Sequence, residues 1–240
     1  MRKSEHQGVR DLAEYIYQNV FYGYTTKQWG LEPEELSPSV TARVPVYISF
    51  DDRYFQDKFQ KMPKHGYTKM FERLLDHPNI HVSLNTDYKD VVDQVSVKKV
   101  LYTGAIDEFF DYEFGELPYR SLKFDFQTYR LPAYQSVGTV NYPMSHDFTR
   151  ITEMGHLTQE RGDHTTVAIE YPQPHIPGET IPYYPIPRDE NLAKHNEYVE
   201  FAEKEAPNVL FAGRLGDYKY YNMDQAAARA LTIFDRMKIE

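Results

Sequence analysis

The feature that most constrains the fold is a change in apolar period along the chain. Val9, Leu12, Ala13, Ile16 and Val20 recur at helical spacing, which predicts an amphipathic helix running into Gly23. A second helix is predicted at about 66–76, where Met70, Phe71, Leu74 and Leu75 share a face and Pro78 stops it. From residue 79 the period becomes two. Ile80, Val82 and Leu84 alternate, "VKKVLYTG" (97–104) reads as a buried strand, and Leu122, Phe124 and Phe126 alternate again. Further strands are expected near 135–142, 148–155 and 165–171, giving an antiparallel sheet between Pro118 and Pro172.

Between these blocks lie loops. "PEELSPSVTARVPV" (33–46) lacks periodicity, and "PQPHIPGETIPYYPIP" (172–187) reads as a Pro-dense surface crossing. A helix is predicted at about 189–205. "NVLFAG" (208–213) is then a short strand, "RLGDYKYYN" a loop, and Met223, Ala226, Ala227, Ala230, Leu231 and Phe234 mark a terminal helix. Such a strand–loop–helix points a helix N-terminus at the strand's carboxyl end, where backbone N–H groups favour anions. The predicted class is α/β, mixed α+β.

At 240 residues and 41% hydrophobic content the chain can bury a sizeable core. No stretch approaches the roughly 20 apolar residues of a membrane span, and the start "MRKSEHQGVRDLAEY" lacks an apolar secretory core, so a cytoplasmic protein is expected. The net charge of −9 argues against broad binding to nucleic acid or anionic lipid. An anionic ligand then needs a local cationic pocket. Cysteine is absent, which removes disulfides, thiolate metal sites and cysteine nucleophiles. The nine histidines show no H-x-x-x-H or H-E-x-x-H spacing, so no metal site is expected.

Arg43, Arg150 and Arg214 have no obvious helical i,i+4 carboxylate partner. Each either pairs at long range, floats in solvent, or joins a bidentate clamp on phosphate oxygens. The 21 tyrosines, including those of "PYYP" (182–185) and "DYKYYN" (217–222), suit either an aromatic cleft for a polar ligand or packing against a sheet. "GYTTKQWG" (23–30) holds the only tryptophan, a ligand surface or an anchor between helix and sheet. "GRLG" (213–216) is not a P-loop, and the chain contains no G-x-G-x-x-G. Read from its residues alone, this is an α/β protein with an aromatic, arginine-containing cleft.

Taken in order, "GYTTKQWG", "TARVPV" with "DDRYFQ" behind it, "LYTGAIDEFF", "GELPYRSLKF", "FTRITE", "IPYYPIP" and "GRLGDYKYYNMDQA" resemble the UDP-galactopyranose mutase family nearly end to end. The resemblance implies a flavoenzyme that interconverts UDP-galactopyranose and UDP-galactofuranose through an adduct between reduced flavin N5 and the sugar, without net redox. It implies a helical layer, an antiparallel sheet and the C-terminal strand–loop–helix of a Rossmann-like FAD-binding domain. On that pattern residues 1–78 form a helical substrate-side domain with a mobile loop at 31–47. Strands at 79–105 return to the FAD-binding domain, 106–187 form the sheet domain, and 188–240 rejoin the FAD-binding domain.

By the same resemblance, Arg43 and Arg150 hold the diphosphate during catalysis. Phe21, Tyr24, Thr25 and Trp29 lie at the uridine end with Asn141, while Tyr54, Tyr184 and Tyr220 donate hydroxyls to the phosphates and Asn222 borders the site. Gly213, Arg214, Met223 and Asp224 resemble flavin contacts. The family's opening strand and Gly-rich dinucleotide loop have no counterpart in this sequence, as though roughly the first third were missing. The expected cofactor is FAD, reduced for activity. The expected partners are UDP-galactose, a separately encoded N-terminal FAD-binding half and a second copy in a homodimer. A non-catalytic UDP-sugar-binding remnant and an FAD-dependent oxidoreductase of related fold are the alternatives. Apolar strand edges at 80–84, 97–103 and 208–213 further predict aggregation or dependence on a partner chain.

Overall fold

The computed structural model describes residues 2–237 apart from 39, 41–45, 48, 52 and 161. Its first element is longer than periodicity predicts. Helix α1 (Gln7–Ile16) passes through a wider i→i+5 turn at Tyr17–Tyr22 directly into α2 (Gly23–Trp29). Gly23 therefore does not end the helix; its φ of −63° and ψ of −39° are helical. The stop is Gly30, whose φ of 67° is left-handed and whose N–H donates to Thr26 O at 2.8 Å. Gly23 instead permits close approach, since a Cβ there would lie 2.1 Å from Met144 Sδ.

The predicted second helix forms at Gly66–Leu75. The expected strand at 80–84 does not form: Ile80, Val82 and Leu84 are 41%, 55% and 80% exposed, and no other strand pairs with them among the described residues. Alternation supplies a face to bury, but a strand also needs a neighbour to satisfy its backbone donors and acceptors.

Five antiparallel strands form the main sheet: β2 (Tyr119–Tyr129), β3 (Thr139–Asn141), β4 (Arg150–Glu153), β5 (Thr165–Pro174) and β6 (Tyr184–Pro185), in the order β3-β4-β5-β2-β6. The strand expected at 148–155 ends at Glu153 because a short helix, Met154–Thr158, begins there. The Pro-dense stretch is only partly loop. Pro172 and Pro174 sit inside β5 opposite Leu122 and Arg120, and Pro185 lies in β6 at the sheet edge, where proline costs least. A separate parallel pair joins β1 (Val100–Tyr102) to β7 (Val209–Phe211), with Tyr102 opposite Phe211. The loop expected after β7 contains a turn of helix at Gly213–Gly216, and the last described helix is Met223–Met237.

The Asp189–Glu205 helix matches its predicted bounds and closes the larger core. Ile106, Leu117, Tyr119, Tyr198, Ala202 and Tyr218 pack there. Two of these tyrosines also act as internal hydrogen-bonding posts. Tyr218 OH donates to Pro118 O at 2.6 Å, while Tyr198 OH donates to Gly115 O at 2.9 Å and accepts from Phe114 N–H at 3.0 Å. Part of the tyrosine excess is thus core architecture.

Candidate functional site

Residues opposite each other in an antiparallel ladder share a face, as do residues two apart on one strand. Asn141 lies opposite Arg150, Arg150 opposite Glu170 and Glu170 opposite Phe124. Arg120, two turns of the pleat from Phe124, lies opposite Tyr184. Register alone therefore puts Asn141, Arg150 and Glu170 in one cross-strand row, with Tyr184 on the same sheet face but four residues further along β2.

Helix α2 is fastened over that face at two points. Arg120 Nε donates to Gln28 O at 2.9 Å, and Lys27 Nζ donates to Tyr142 O and, at 3.1 Å, to Phe148 O. Between helix and sheet lies a cavity of about 640 Å³. From the helix side it is lined by Phe21, Tyr24, Thr25 and Trp29, with Val20 and Gln28 beside them. Asn141, Arg150, Tyr184, Tyr220 and Asn222 line it from the sheet side and the loop before the last helix. Tyr54 and Phe55, an edge-to-face pair with centroids 4.7 Å apart, close its rim.

The single indole is packed as an anchor between helix and sheet, and it also borders the cavity. Trp29 is 4% exposed, packed 6.0 Å from Tyr184 and 6.0 Å from Tyr220, and it still borders the cavity. Tyr184 and Tyr220 meet edge to face at 4.8 Å. Arg214 backs this cluster, with its guanidinium carbon 5.2 Å and 4.8 Å from the two phenol rings and its N–H groups donating to Tyr183 O and Tyr221 O.

Arg150 is the cation of the cavity wall. Its NH2 donates to Tyr24 OH at 2.5 Å, and its buried Nε stands 3.1 Å from Glu170 Oε1, an ion-pair distance without hydrogen-bond alignment. Burial works against the charged guanidinium, but Tyr24 and Glu170 outweigh it and raise its pKa, so the charge is permanent. Burial pushes the Tyr24 and Tyr184 phenols up, with Arg150 opposing in both. Burial likewise raises the Glu170 carboxyl, and Arg150 pulls it back. At neutral pH the wall offers a fixed cation flanked by neutral O–H groups. That set suits an anion with several oxygens.

Of the predicted site residues, all ten assigned to the substrate side within the described residues converge on this cavity. Arg43 lies outside the described residues. None of the predicted flavin contacts lines the cavity, although Arg214 stands directly behind its Tyr184 and Tyr220. Gly213, at φ 85°, donates its N–H to Asp217 Oδ2 at 3.0 Å, and Asp217 in turn holds Arg229. Met223 is exposed and Asp224 occupies the first turn of the last helix.

The sequence reading missed Glu170, Lys27 and Arg120. Glu170 left a signal, a lone carboxylate in the apolar run "VAIEY" on the strand due to pair with that of Arg150. Lys27 and Arg120 act on backbone carbonyls 115 and 92 residues away, and such partners leave no trace in a sequence. Among the described residues no helix is long and apolar enough to cross a membrane.

A family model described as UDP-galactopyranose mutase matches residues 19–220. A probable UDP-galactopyranose mutase of Klebsiella pneumoniae is 38% identical over 232 residues, covering 96% of this chain and 60% of the relative. A dTDP-fucopyranose mutase of Escherichia coli is 36% identical over 233 residues, covering 95% and 62%. A UDP-galactopyranose mutase of Mycoplasma pneumoniae is 35% identical over 238 residues, covering 93% and 59%. The chain thus spans about 60% of the length of these relatives.

Proposed function

Because the chain belongs to the UDP-galactopyranose mutase family, we propose that it carries the substrate side of an enzyme that interconverts UDP-galactopyranose and UDP-galactofuranose. The observation that carries this reading is the convergence of Tyr24, Trp29, Arg150, Tyr184 and Tyr220, from four distant stretches, around one cavity. In this reading Tyr24, Thr25, Trp29, Phe21 and Asn141 take the uridine end. Arg150, Tyr54, Tyr184 and Tyr220 take the diphosphate, joined by Arg43, with Asn222 at the edge.

The chemistry assigned to these groups is charge control. As the bond between the anomeric carbon and UDP breaks, negative charge builds on the diphosphate, and a preorganised guanidinium with phenol donors stabilises it more than it stabilises the bound substrate. Glu170, opposite Arg150 in the ladder, holds a carboxylate oxygen 3.1 Å from the guanidinium Nε. The net charge of −9 does not prevent this, because distant charges are screened beyond roughly 8 Å at physiological salt.

The family resemblance implies FAD, and the described residues fit only one edge of it. At the carboxyl end of β7 a Cβ on Gly213 would meet nothing nearer than Thr103 Cβ at 3.9 Å, so the backbone turn is open to a ligand. A Gly-rich cradle for the pyrophosphate is not in this sequence. Gly213, Arg214, Met223 and Asp224 are therefore proposed as one flank of a Rossmann-like flavin site whose remainder another polypeptide segment supplies. A separately encoded dinucleotide-binding half and a homodimer both suit the outer edges of β1 and β7, which no strand among the described residues pairs with.

The near-equal likeness to a dTDP-fucopyranose mutase favours a second substrate reading, a deoxythymidine diphosphate 6-deoxyhexose. Incubation of the chain, alone and with a supplied dinucleotide-binding half, with reduced FAD and either UDP-galactofuranose or dTDP-fucofuranose, followed by chromatography, decides between them. Conversion of UDP-galactofuranose, abolished in Arg150→Ala and Arg43→Ala, is expected. Nucleotide binding without conversion of either sugar, even with the added half, would point to a non-catalytic binding protein.

A further inference from the structure

We infer that Arg120 is a positioning residue that fixes Trp29 against Tyr184 and so sets the shape of the aromatic wall of the cavity. Its main chain holds one wall: Arg120 O accepts the Tyr183 N–H at 2.9 Å, and Arg120 lies opposite Tyr184 in the ladder. Its side chain holds the other. Nε donates at 2.9 Å to the carbonyl of Gln28, the residue before Trp29, at the end of α2. The guanidinium lies along the glycine that caps this helix, because a Cβ on Gly30 would stand 3.4 Å from NH1, 3.6 Å from Cζ and 3.8 Å from NH2.

Three features make this a dedicated contact. No carboxylate forms an ion pair with Arg120 among the described residues, and burial alone lowers its pKa, so the cation is held without a compensating acid. The last carbonyls of a helix carry the negative end of its dipole, which a cation favours. Gly30 supplies the left-handed turn at φ 67° on which the flat guanidinium rests, close enough that an added Cβ would already be in van der Waals contact with it. Arg120 does not line the cavity itself, so it acts through the two aromatic residues that do. Trp29 and Tyr184 pack against each other with centroids 6.0 Å apart and planes tilted by 54°, so a small slide of the helix end breaks that contact and reshapes the cavity wall the two rings form.

The inference rests on the nucleotide-site reading, and the lone tryptophan separates the two. Emission of Trp29 is recorded with and without UDP in the wild type, Arg120→Met, Arg120→Lys and the exposed-site control Arg130→Met, each checked for native circular dichroism. In Arg120→Met the emission should move to longer wavelength and the UDP Kd should rise about tenfold, with Arg120→Lys intermediate because an ammonium can still donate to Gln28 O. Arg130→Met should match the wild type. If Arg120→Met does not fold, the folded Lys variant decides, with a red-shifted emission and a Kd raised about threefold expected. Wild-type emission and Kd in a folded Arg120 variant would overturn the inference. Absence of a saturable UDP response in the wild type would sink the nucleotide reading, while the ligand-free emission of the variants would still judge Arg120.

Discussion

Arg150 and Glu170 face each other across β4 and β5, with Nε 3.1 Å from Oε1, and Tyr24 from α2 meets the same guanidinium from above. Helix and sheet thus share one cation. Removing either partner of a buried pair leaves a desolvated charge, which costs far more than the pair itself contributes.

Arg150→Met should destabilise the fold by about 3 kcal/mol in urea titration and reduce UDP binding strongly, because Glu170, 7% exposed, is left unpaired. The double variant Arg150→Met, Glu170→Gln should regain most of the stability and none of the binding. Equal stability of the single and double variants would refute the pairing.

Gly23→Ala should cost about 1–3 kcal/mol by overpacking, since the added carbon would lie 2.1 Å from Met144 Sδ and 2.9 Å from Pro143 O. Met144→Ala in the same chain removes the sulfur but not the backbone oxygen. A double-mutant cycle should therefore show partial, not complete, rescue.

Lys27→Met should loosen the 143–147 turn, because Lys27 donates to the flanking carbonyls of Tyr142 and Phe148, while the Tyr142 N–H to Thr149 O bond still closes its base. Loss of these charged donors should cost about 1–3 kcal/mol. Limited proteolysis is the direct readout, with faster cleavage within 143–147 and the rest of the sheet still protected.

Stability should fall as pH drops below about 7, and His195 should account for part of the fall. Burial lowers the His195 pKa from 6.5, against the pull of its hydrogen bond to Gly216 O at 3.1 Å and of nearby acids. The unfolded chain then takes up the proton first, so the stability present above about 6.5 is lost progressively as pH falls toward the lower folded value. In His195→Gln, whose amide can still donate to Gly216 O, the Tm should decline less between pH 7.5 and 5.5. An identical decline in both proteins would exclude His195 as the source.

Much of the architecture was legible because local signals and tertiary needs agreed. The 189–205 helix, the 66–75 helix and the ladder strands around Leu122, Ile151 and Ile169 all follow from apolar period and flanking prolines. Residues 80–84 show the limit of that signal: the same alternation yields no strand where no neighbour pairs with it. Gly23 misled for a related reason, as a glycine chosen for close packing looks the same in sequence as one chosen to end a helix.

The order of residues along the chain, then, determined the mixed class, the place of most elements and the identity of the aromatic and guanidinium groups around the cavity. Only the folded chain decided that Glu170 sits beneath Arg150, that Lys27 and Arg120 clasp backbone carbonyls, and that Trp29 is at once a packing anchor and a cavity wall. The division is physical. Periodicity encodes which face an element buries, whereas strand register and helix docking, fixed only when distant segments meet, choose which side chains touch.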